Sequence, residues 1–253
     1  PFADTVIESK RAKGTTTMQK LLTKPGGNAK LAKGNSGGFS PYILHLAPSG
    51  SSGKGNTCPN ATKECISLCL NISGRANIFP AILAGRIKKT REYYENRSGF
   101  IARLIREIKN AIKNETRKGR IAAFRLNGTS DLEWNEVISA FPETQFYDYT
   151  KDSVRFHQFL LGMMPKNYHL TFSFSGHNET LCRSFLARGG NVAVAFSRPI
   201  GAKYARPAEW CGFPTIDGDI SDLRFRDSRG VVVALKAKGK ARKAKGNPFV
   251  VGS

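Results

Sequence analysis

Short apolar runs and amphipathic segments alternate along most of the chain. β-branched and aromatic residues cluster between turn-forming residues in six places, which is the pattern of buried strands. The predicted strands are 40–48, 120–126, 145–150, 168–174, 191–196 and 231–236. Helical periodicity predicts helices at 77–95, 98–117, 133–141, 152–162 and 178–188. Strands separated by helices predict an α/β fold in which repeated β-α units form a partial barrel or an open, mostly parallel sheet.

The predicted helix 98–117 has one apolar face and one basic face. Ser98 is a candidate N-cap and Gly119 a candidate stop, and Phe100, Leu104 and Ile108 belong to the apolar face. The basic face carries Arg103, Arg106, Lys109 and Lys113. A helix that packs on a sheet and faces an anion would show this pattern, and so would a helix with a solvated face.

The length and composition favour a single domain. A chain of 253 residues with 40% hydrophobic content can bury one sizeable core. Residues 1–38 are rich in Lys, Gly, Thr and Asn and are interpreted as a flexible basic arm, before one α/β domain at 39–253 that ends in a basic tail, 236–253. No apolar run approaches the roughly 20 residues that cross a bilayer, so no membrane partner is expected. Five cysteines and a first segment without an apolar signal-peptide core favour an intracellular, reducing location.

The charge of the chain is far from balanced. Forty Lys and Arg stand against 19 Asp and Glu, which gives a formal charge of +21 and predicts a polyanionic partner, nucleic acid above all. The candidate contact residues are Arg103, Arg106, Lys109, Lys113, Lys238, Lys240, Arg242 and Lys243. Because the chain lacks a paired-cysteine finger, a heptad zipper and the aromatic pattern of an RNA-recognition motif, binding would be mainly to phosphates and sensitive to salt. A solvated basic surface is the alternative.

Three cysteines lie within twelve residues in the segment 57–70. Cys58, Cys65 and Cys69 have the spacing C-x6-C-x3-C, which matches neither zinc ribbons nor the usual ferredoxin runs. Thiolates are soft ligands that favour zinc or iron-sulfur clusters. A closed zinc site needs four ligands, whereas three cysteines leave one iron of a cluster open, so a [4Fe-4S] cluster is predicted, with zinc as the alternative.

A fourth ligand, if there is one, must come from elsewhere in the chain. Cys182 is the first candidate, and the others are Cys211, His45, His169 and His177. The alternative for the three clustered cysteines is structural, because positions i, i+7 and i+11 share one face of a helix and the thiols would then be buried small hydrophobes.

Polar residues follow several of the predicted strands. The carboxyl ends of parallel strands meet at one edge of a sheet, where ligands gather. The candidate substrate-binding residues at this edge are Arg125, Asn127, Asp131, Asp148, Lys151 and Ser173. Each could also be a turn former or a cap, so the repetition of polar strand ends carries the prediction.

An acidic segment near residue 220 raises a further possibility. Asp217, Asp219 and Asp222 alternate in a chain otherwise short of acids, and such carboxylates could hold Mg²⁺ in a metal-dependent nuclease. Turn chemistry and ion pairs explain the same residues, and this structural interpretation is favoured.

Several segments resemble a known family. FRLNGTSDLEW, FYDYTK, IDGDISDLRFRD, VVVALKAKG and the cysteine segment TCPNATKECISLCLNISGR are similar to the phage family called gene product 88, over roughly residues 40–251. The resemblance implies a viral protein made in the cytoplasm of the infected bacterial host and supports treating the cysteines as a unit. It supplies no catalytic residues.

The order of elements also resembles that of radical S-adenosylmethionine enzymes. Those enzymes carry three cysteines after the first strand of a partial β-α barrel, and this chain has the same order. The likeness implies S-adenosylmethionine as a further cofactor, and the C-x6-C-x3-C spacing departs from the C-x3-C-x2-C that is usual in those enzymes. Three hypotheses follow: a phage iron-sulfur protein that contacts nucleic acid, a radical-type cluster-dependent enzyme, and a metal-dependent nuclease.

Overall fold

A ten-stranded, mostly parallel sheet forms the centre of the molecule. The structure is a computed structural model, and it describes residues 19–26, 38–69, 79–197, 205–244 and 246–252. The strands are β1 Leu22–Thr23, β2 Phe39–Leu44, β3 Ile121–Arg125, β4 Gln145–Thr150, β5 Tyr168–Ser173, β6 Val192–Phe196, β7 Glu209–Trp210, β8 Phe213–Asp217, β9 Val232–Lys236 and β10 Val250–Val251. The fold class predicted from the sequence is therefore confirmed.

The strands follow one another across the sheet almost in chain order. The order is β1-β2-β3-β4-β5-β6-β9-β8-β7, with β10 also paired to β6. All neighbours are parallel except β1 with β2 and β7 with β8. In the described part of the chain β1 and β7 are separate edges, so the sheet is open and not closed into a barrel.

The longer helices lie against one face of this sheet. They are α1 Lys63–Ser67, α2 Pro80–Glu95, α3 Arg97–Thr116, α4 Asn135–Ser139, α5 Ser153–Leu160 and α6 Glu179–Ala187, and two 3-10 helices cover Arg224–Arg226 and Gly239–Lys243. Right-handed crossovers that all step in the same direction across a sheet leave their helices on the same side. The main core forms on that side, where Phe100 and Leu104 of α3 and Phe185 of α6 meet Phe124 and Phe172 of the strands. We call this side the helix-bearing face.

The opposite face of the sheet has a different cover. Alternate residues of a strand point to opposite faces, and here Ala123 and Tyr147 form a small apolar cluster with Leu223. The 3-10 helix Arg224–Arg226 follows Leu223, and Phe225 packs edge-on against Phe39 with ring centroids 5.1 Å apart. We call this side the opposite face.

All six predicted strands and all five predicted helices are present, within a few residues of their expected bounds. The cap of α3 differs: Asn96, not Ser98, accepts the hydrogen bond from the backbone amide of Gly99, at 3.0 Å. Gly119 lies beyond the end of α3 with φ of +66°, as expected of a stop. None of the helices in the described ranges is both long and apolar enough to span a membrane.

The expected flexible arm needs a correction where it is described. β1 pairs with β2, and Leu21 and Leu22 are buried in the main core. The carboxylate of Glu107 on α3 accepts hydrogen bonds from the backbone amides of both leucines, at 2.9 to 3.0 Å. Leu21, Leu22 and Thr23 are thus part of the folded domain, while residues 1–18 and 27–37 lie outside the described residues.

Candidate functional site

The cysteine loop, residues 57–69, lies across the carboxyl ends of the parallel strands. The backbone amide of Thr57 donates to the carbonyl of Ser49, and the amide of Asp131 donates to the carbonyl of Thr57 at 2.7 Å. The thiol of Cys58 lies 3.7 Å from the carbonyl oxygen of Thr129, which follows β3. The first part of the loop is thereby fixed to the ends of β2 and β3.

The second part of the loop is anchored at the end of β5. The hydroxyl of Thr62 donates to the carbonyl of Ser175 at 3.1 Å and accepts from the backbone amide of Cys65, which caps α1. The Glu64 carboxylate lies 3.8 Å from Nε2 of His177. The loop therefore spans the carboxyl edge from β2 to β5, where parallel sheets bind ligands.

The three clustered thiols are partly exposed and free of disulfides. Cys65 lies inside α1, Cys58 precedes it, and Cys69 follows it. The alternative of one helix face with buried thiols is therefore wrong, since α1 has only five residues. Burial raises the pKa of the Cys58 thiol above its usual value. No three His, Cys, Asp or Glu side chains of the described residues are grouped so that they could hold a metal ion.

Cys182 is not grouped with these three thiols. It lies in the buried apolar stripe of α6, next to Phe185 and Leu186, and burial raises the pKa of its thiol to about 12. Cys211 is close enough to Cys182 to contribute to that shift. A core position on the helix-bearing face explains Cys182 without a metal, so the structure gives no support to it as a fourth ligand.

The basic tail packs on the cysteine loop. Leu68, next to Cys69, shares a small apolar cluster with Ala237 and Ala241, and Ala241 lies in the 3-10 helix Gly239–Lys243. Phe249 joins the same cluster, and the ammonium group of Lys151 lies 5.7 Å from its ring centroid. The 3-10 helix that carries Lys240, Arg242 and Lys243 is consequently held against the cysteine loop.

The residues predicted to contact nucleic acid differ in solvent exposure and in ion pairing. Lys240, Arg242 and Lys243 of the tail are exposed, as are Arg106, Lys109 and Lys113 of α3. Lys238 forms an ion pair with Asp219 at 2.6 Å. The prediction that Arg103 contacts nucleic acid is wrong. Its side chain is only 14% exposed and pairs with Glu92 of α2 at 2.8 Å, so it joins two helices and does not face an anion.

Asn127 and Asp148, two of the predicted substrate-binding residues, form hydrogen bonds within the fold. The Asp148 carboxylate accepts from the Asn127 backbone amide at 2.7 Å and from the Tyr168 hydroxyl at 3.1 Å. The Asn127 side chain in turn accepts from Ser130 and from Trp134 Nε1. Asn127 is 2% exposed and Asp148 is 1% exposed, so they hold strand ends together and are not open to a substrate.

The other predicted substrate-binding residues do not form one rim with this pair. Asp131 forms an ion pair with Arg155 and accepts from the backbone amide of Lys151 at 2.8 Å. Arg125 and Ser173 lie at alternate positions that place them on the opposite face. The predicted residues therefore do not form one rim. Asn127, Asp131 and Asp148 take part in internal hydrogen bonds and ion pairs, whereas Arg125 and Ser173 lie on the opposite face.

The carboxylates of the acidic segment, residues 217–222, take part in turns and ion pairs. Asp222 pairs with Arg125 at 3.1 Å, and the Asp217 carboxylate accepts from the backbone amide of Asp219 at 2.8 Å. Asp219 also accepts from the backbone amide of Lys236. These contacts agree with the structural interpretation of the segment.

A group of polar side chains that the sequence does not single out lies on the opposite face. Tyr147 is paired with His169 across β4 and β5, and Tyr149 with Thr171. The guanidinium of Arg125 lies 4.5 Å from the ring centroid of Tyr149. Arg224 belongs to the 3-10 helix on this face. We call these six residues the donor cluster: Arg125, Tyr147, Tyr149, His169, Thr171 and Arg224.

The residues of the donor cluster are buried or partly buried and short of hydrogen-bond partners. Tyr147 and Thr171 are 0% exposed and Arg224 is 1% exposed. The hydroxyls of Tyr147, Tyr149 and Thr171 have no hydrogen-bond partner in the described structure. Burial, together with the charge of Arg224, lowers the pKa of His169 to about 4, so this imidazole is neutral at pH 7. Polar residues at every second position of buried strands were the signal in the sequence that could have revealed this group.

Taken together, fold and site define an open α/β sheet protein with a cysteine loop at its carboxyl edge. The family model described as Gene product 88 matches residues 20–247. The chain therefore belongs to the Gene product 88 family, a phage gene product family. No curated protein and no solved structure matches it.

Proposed function

We propose that this phage protein binds an iron-sulfur cluster of the [4Fe-4S] type through Cys58, Cys65 and Cys69 and contacts nucleic acid through the adjacent basic surface. The observation that carries the proposal is the placement of three partly exposed thiols without disulfides in the cysteine loop at the carboxyl edge of the sheet, where the basic tail packs on the loop. We expect it to act in the cytoplasm of the infected host.

The chemistry of the thiols fits a cluster. All three belong to one short loop, which lowers the entropy cost of assembling a ligand set. The loop is fixed at Thr57 by backbone hydrogen bonds and at Thr62 by a side-chain hydrogen bond to the carbonyl of Ser175, whereas α1, which follows, is a single short helix without buried residues. Because metal sites commonly form together with the metal, cluster binding would draw the three thiols closer than they are in this structure.

The charges near the loop support the same proposal. Thiolate ligands carry negative charge, and neighbouring cations favour the thiolate over the thiol. Arg86 of α2 is within electrostatic range of Cys69, and Lys151 is within range of Cys58. The tail adds Lys240, Arg242 and Lys243. These cations would offset the charge of a thiolate-bound cluster and leave a positive surface for phosphates.

Anaerobic purification with iron, sulfide and zinc analysis tests the cluster. We expect a brown protein with broad absorbance near about 400 nm, typical of such clusters. Cys65→Ser should lose the colour. Cys211→Ser, which also removes a free, partly exposed thiol, should keep it. A colourless protein with one zinc per chain would favour zinc binding instead, and a colourless, metal-free protein would reject both.

A cluster-dependent enzyme that binds S-adenosylmethionine is a second candidate. The observation that favours it is the near-sequential order of parallel strands, with the donor cluster on the face that the longer helices leave free. The test is the electron paramagnetic resonance spectrum of the reduced cluster with and without S-adenosylmethionine. A changed spectrum would support the enzyme, and an unchanged spectrum would leave only the first proposal.

A further inference from the structure

The donor cluster has more hydrogen-bond donors than the fold supplies with acceptors. Its unpartnered atoms in the described structure include Nε of Arg125, Nε of Arg224 and the hydroxyls of Tyr147, Tyr149 and Thr171. Two carboxylates form ion pairs with other atoms of the same arginines. Asp222 pairs with Nη1 of Arg125, and Oδ2 of Asp227 lies 3.1 Å from Nη1 of Arg224 without hydrogen-bond geometry.

Buried polar groups in native proteins nearly always have a partner. One isolated exception is ordinary, but here five side chains on adjacent strands and one facing 3-10 helix share the same shortage. Arginine N–H groups can only donate, and hydroxyls can donate, so the group that would satisfy them together must be rich in acceptors.

We propose that the donor cluster binds a small oxyanion, a carboxylate or a phosphate group, between β4, β5 and the 3-10 helix Arg224–Arg226. Guanidinium groups recognise both kinds of oxyanion with directed hydrogen bonds. The inference does not depend on the cysteines binding a cluster, because it rests on different residues.

The surroundings favour an anion over a cation. Arg125 and Arg224 bring two guanidinium groups to the cluster, whereas burial, the largest cause, and the charge of Arg224 lower the pKa of His169 to about 4, so this imidazole is neutral at pH 7. The amino end of the cluster is closed by aromatic packing, where Phe225 lies 5.4 Å from the Tyr147 ring. A ligand would therefore approach from the carboxyl ends of the strands, below the cysteine loop.

Isothermal titration calorimetry tests this site, with inorganic phosphate and malonate as probes in chloride buffer of constant ionic strength. We expect one of the two probes to bind with a stoichiometry of one per chain. Thr171→Val and Tyr149→Phe each remove one donor without changing the shape of the side chain much. Each should weaken binding by about tenfold or more, which corresponds to one lost hydrogen bond to a charged group.

Thr116→Val is the matched control. Thr116 is exposed on α3 and its hydroxyl donates to the carbonyl of Ile112, far from the cluster in the fold. This variant should bind the probe like the parent protein. Equal binding by the parent protein and Thr171→Val would mean adventitious surface binding to a highly basic protein and would overturn the proposal, as would no binding of either probe.

The thermal midpoint without probe provides a second measurement. An unpartnered buried hydroxyl lowers stability, so Thr171→Val in chloride buffer should melt at the same temperature as the parent protein or higher. A clear fall in its midpoint would show that the hydroxyl already has a partner in the free protein and would count against the proposal.

Discussion

The backbone amide of Gly128 donates a hydrogen bond to the carbonyl oxygen of Leu44, the last residue of β2, across 2.9 Å. A Cβ atom on residue 128 would lie 2.6 Å from Cγ2 of Ile43 and 2.7 Å from that carbonyl oxygen. Only glycine allows this approach. The contact joins the ends of β2 and β3, from which the cysteine loop and the turn 127–131 depart.

Gly128→Ala should therefore destabilise the protein. Overpacking next to a backbone carbonyl cannot be relieved by a rotamer change. We therefore expect the free energy of unfolding to fall by about 1 to 3 kcal/mol. Gly50→Ala is the matched control, because a Cβ at residue 50 meets no atom within 4 Å and its φ is not positive. The midpoints of urea unfolding compare the two variants, and equal midpoints would contradict the close approach.

Asp148 should make stability depend on pH between about 4 and 7. Burial is the largest influence and raises the pKa of this carboxyl to about 7, against the opposing effects of Arg125 and the Asn127 amide. In this window the folded protein keeps the proton and the unfolded chain releases it, so stability falls as pH rises, by at most about 1.4 kcal/mol per pH unit.

The variant Asp148→Asn tests this dependence. An amide does not titrate, so the profile of stability against pH should flatten between pH 4 and 7. Thermal midpoints measured across that range provide the comparison. A parallel profile for the variant would mean that Asp148 is ionised throughout and that other groups produce the slope.

Glu115 should make stability rise with pH, the opposite of the effect of Asp148, and over a lower pH range. Burial raises the pKa of its carboxyl, but hydrogen bonds from Ser40, Arg120 and Tyr42 outweigh burial and lower the pKa to about 2. The stabilisation is present above the unfolded pKa, near 4.5, and is lost as pH falls toward 2.

Glu115→Gln should cost about 2 to 3 kcal/mol at pH 7, because it leaves Arg120 and the Tyr42 hydroxyl with a poorer acceptor in a buried place. Glu143→Gln, on an exposed turn, is the control. Urea unfolding at pH 7 and pH 3 measures both variants. The difference between Glu115→Gln and the parent protein should shrink at pH 3, and a constant difference would contradict the lowered pKa.

The sequence predicted the parallel core because its strands and helices are long enough to show a period. β7 escaped prediction because it has only two residues, and β8 because Pro214 interrupts its pattern. Their hairpin turn carries Cys211 and Gly212, both with positive φ. Asn-Gly is the usual sequence for such a turn. Cys211 was considered a candidate fourth ligand because it is a cysteine, whereas in the structure it occupies the turn itself.

The site was harder to predict than the fold. Strand ends identified the carboxyl edge, and Cys58 does lie there. Alternation assigns Asp148 and Arg125 to opposite faces, but their partners, Tyr168 and Asp222, could not be predicted because long-range packing decides them. Arg224 follows a predicted turn and gave no periodic signal, so its burial against β4 and β5 could not be foreseen.

Nucleic-acid binding should depend on the tail more than on an equal charge elsewhere. Changing Lys240, Arg242 and Lys243 together to Ala should weaken binding to an oligonucleotide and reduce the slope of log K against log salt by roughly 2 to 3, if each contacts one phosphate. The control changes Lys166, Arg183 and Arg188, which are exposed on or near α6 and β5 and remove the same charge. Fluorescence anisotropy at several salt concentrations measures both triple variants. Equal slopes for the two variants would mean that only net charge matters. Salt-independent binding would contradict any contact with phosphates.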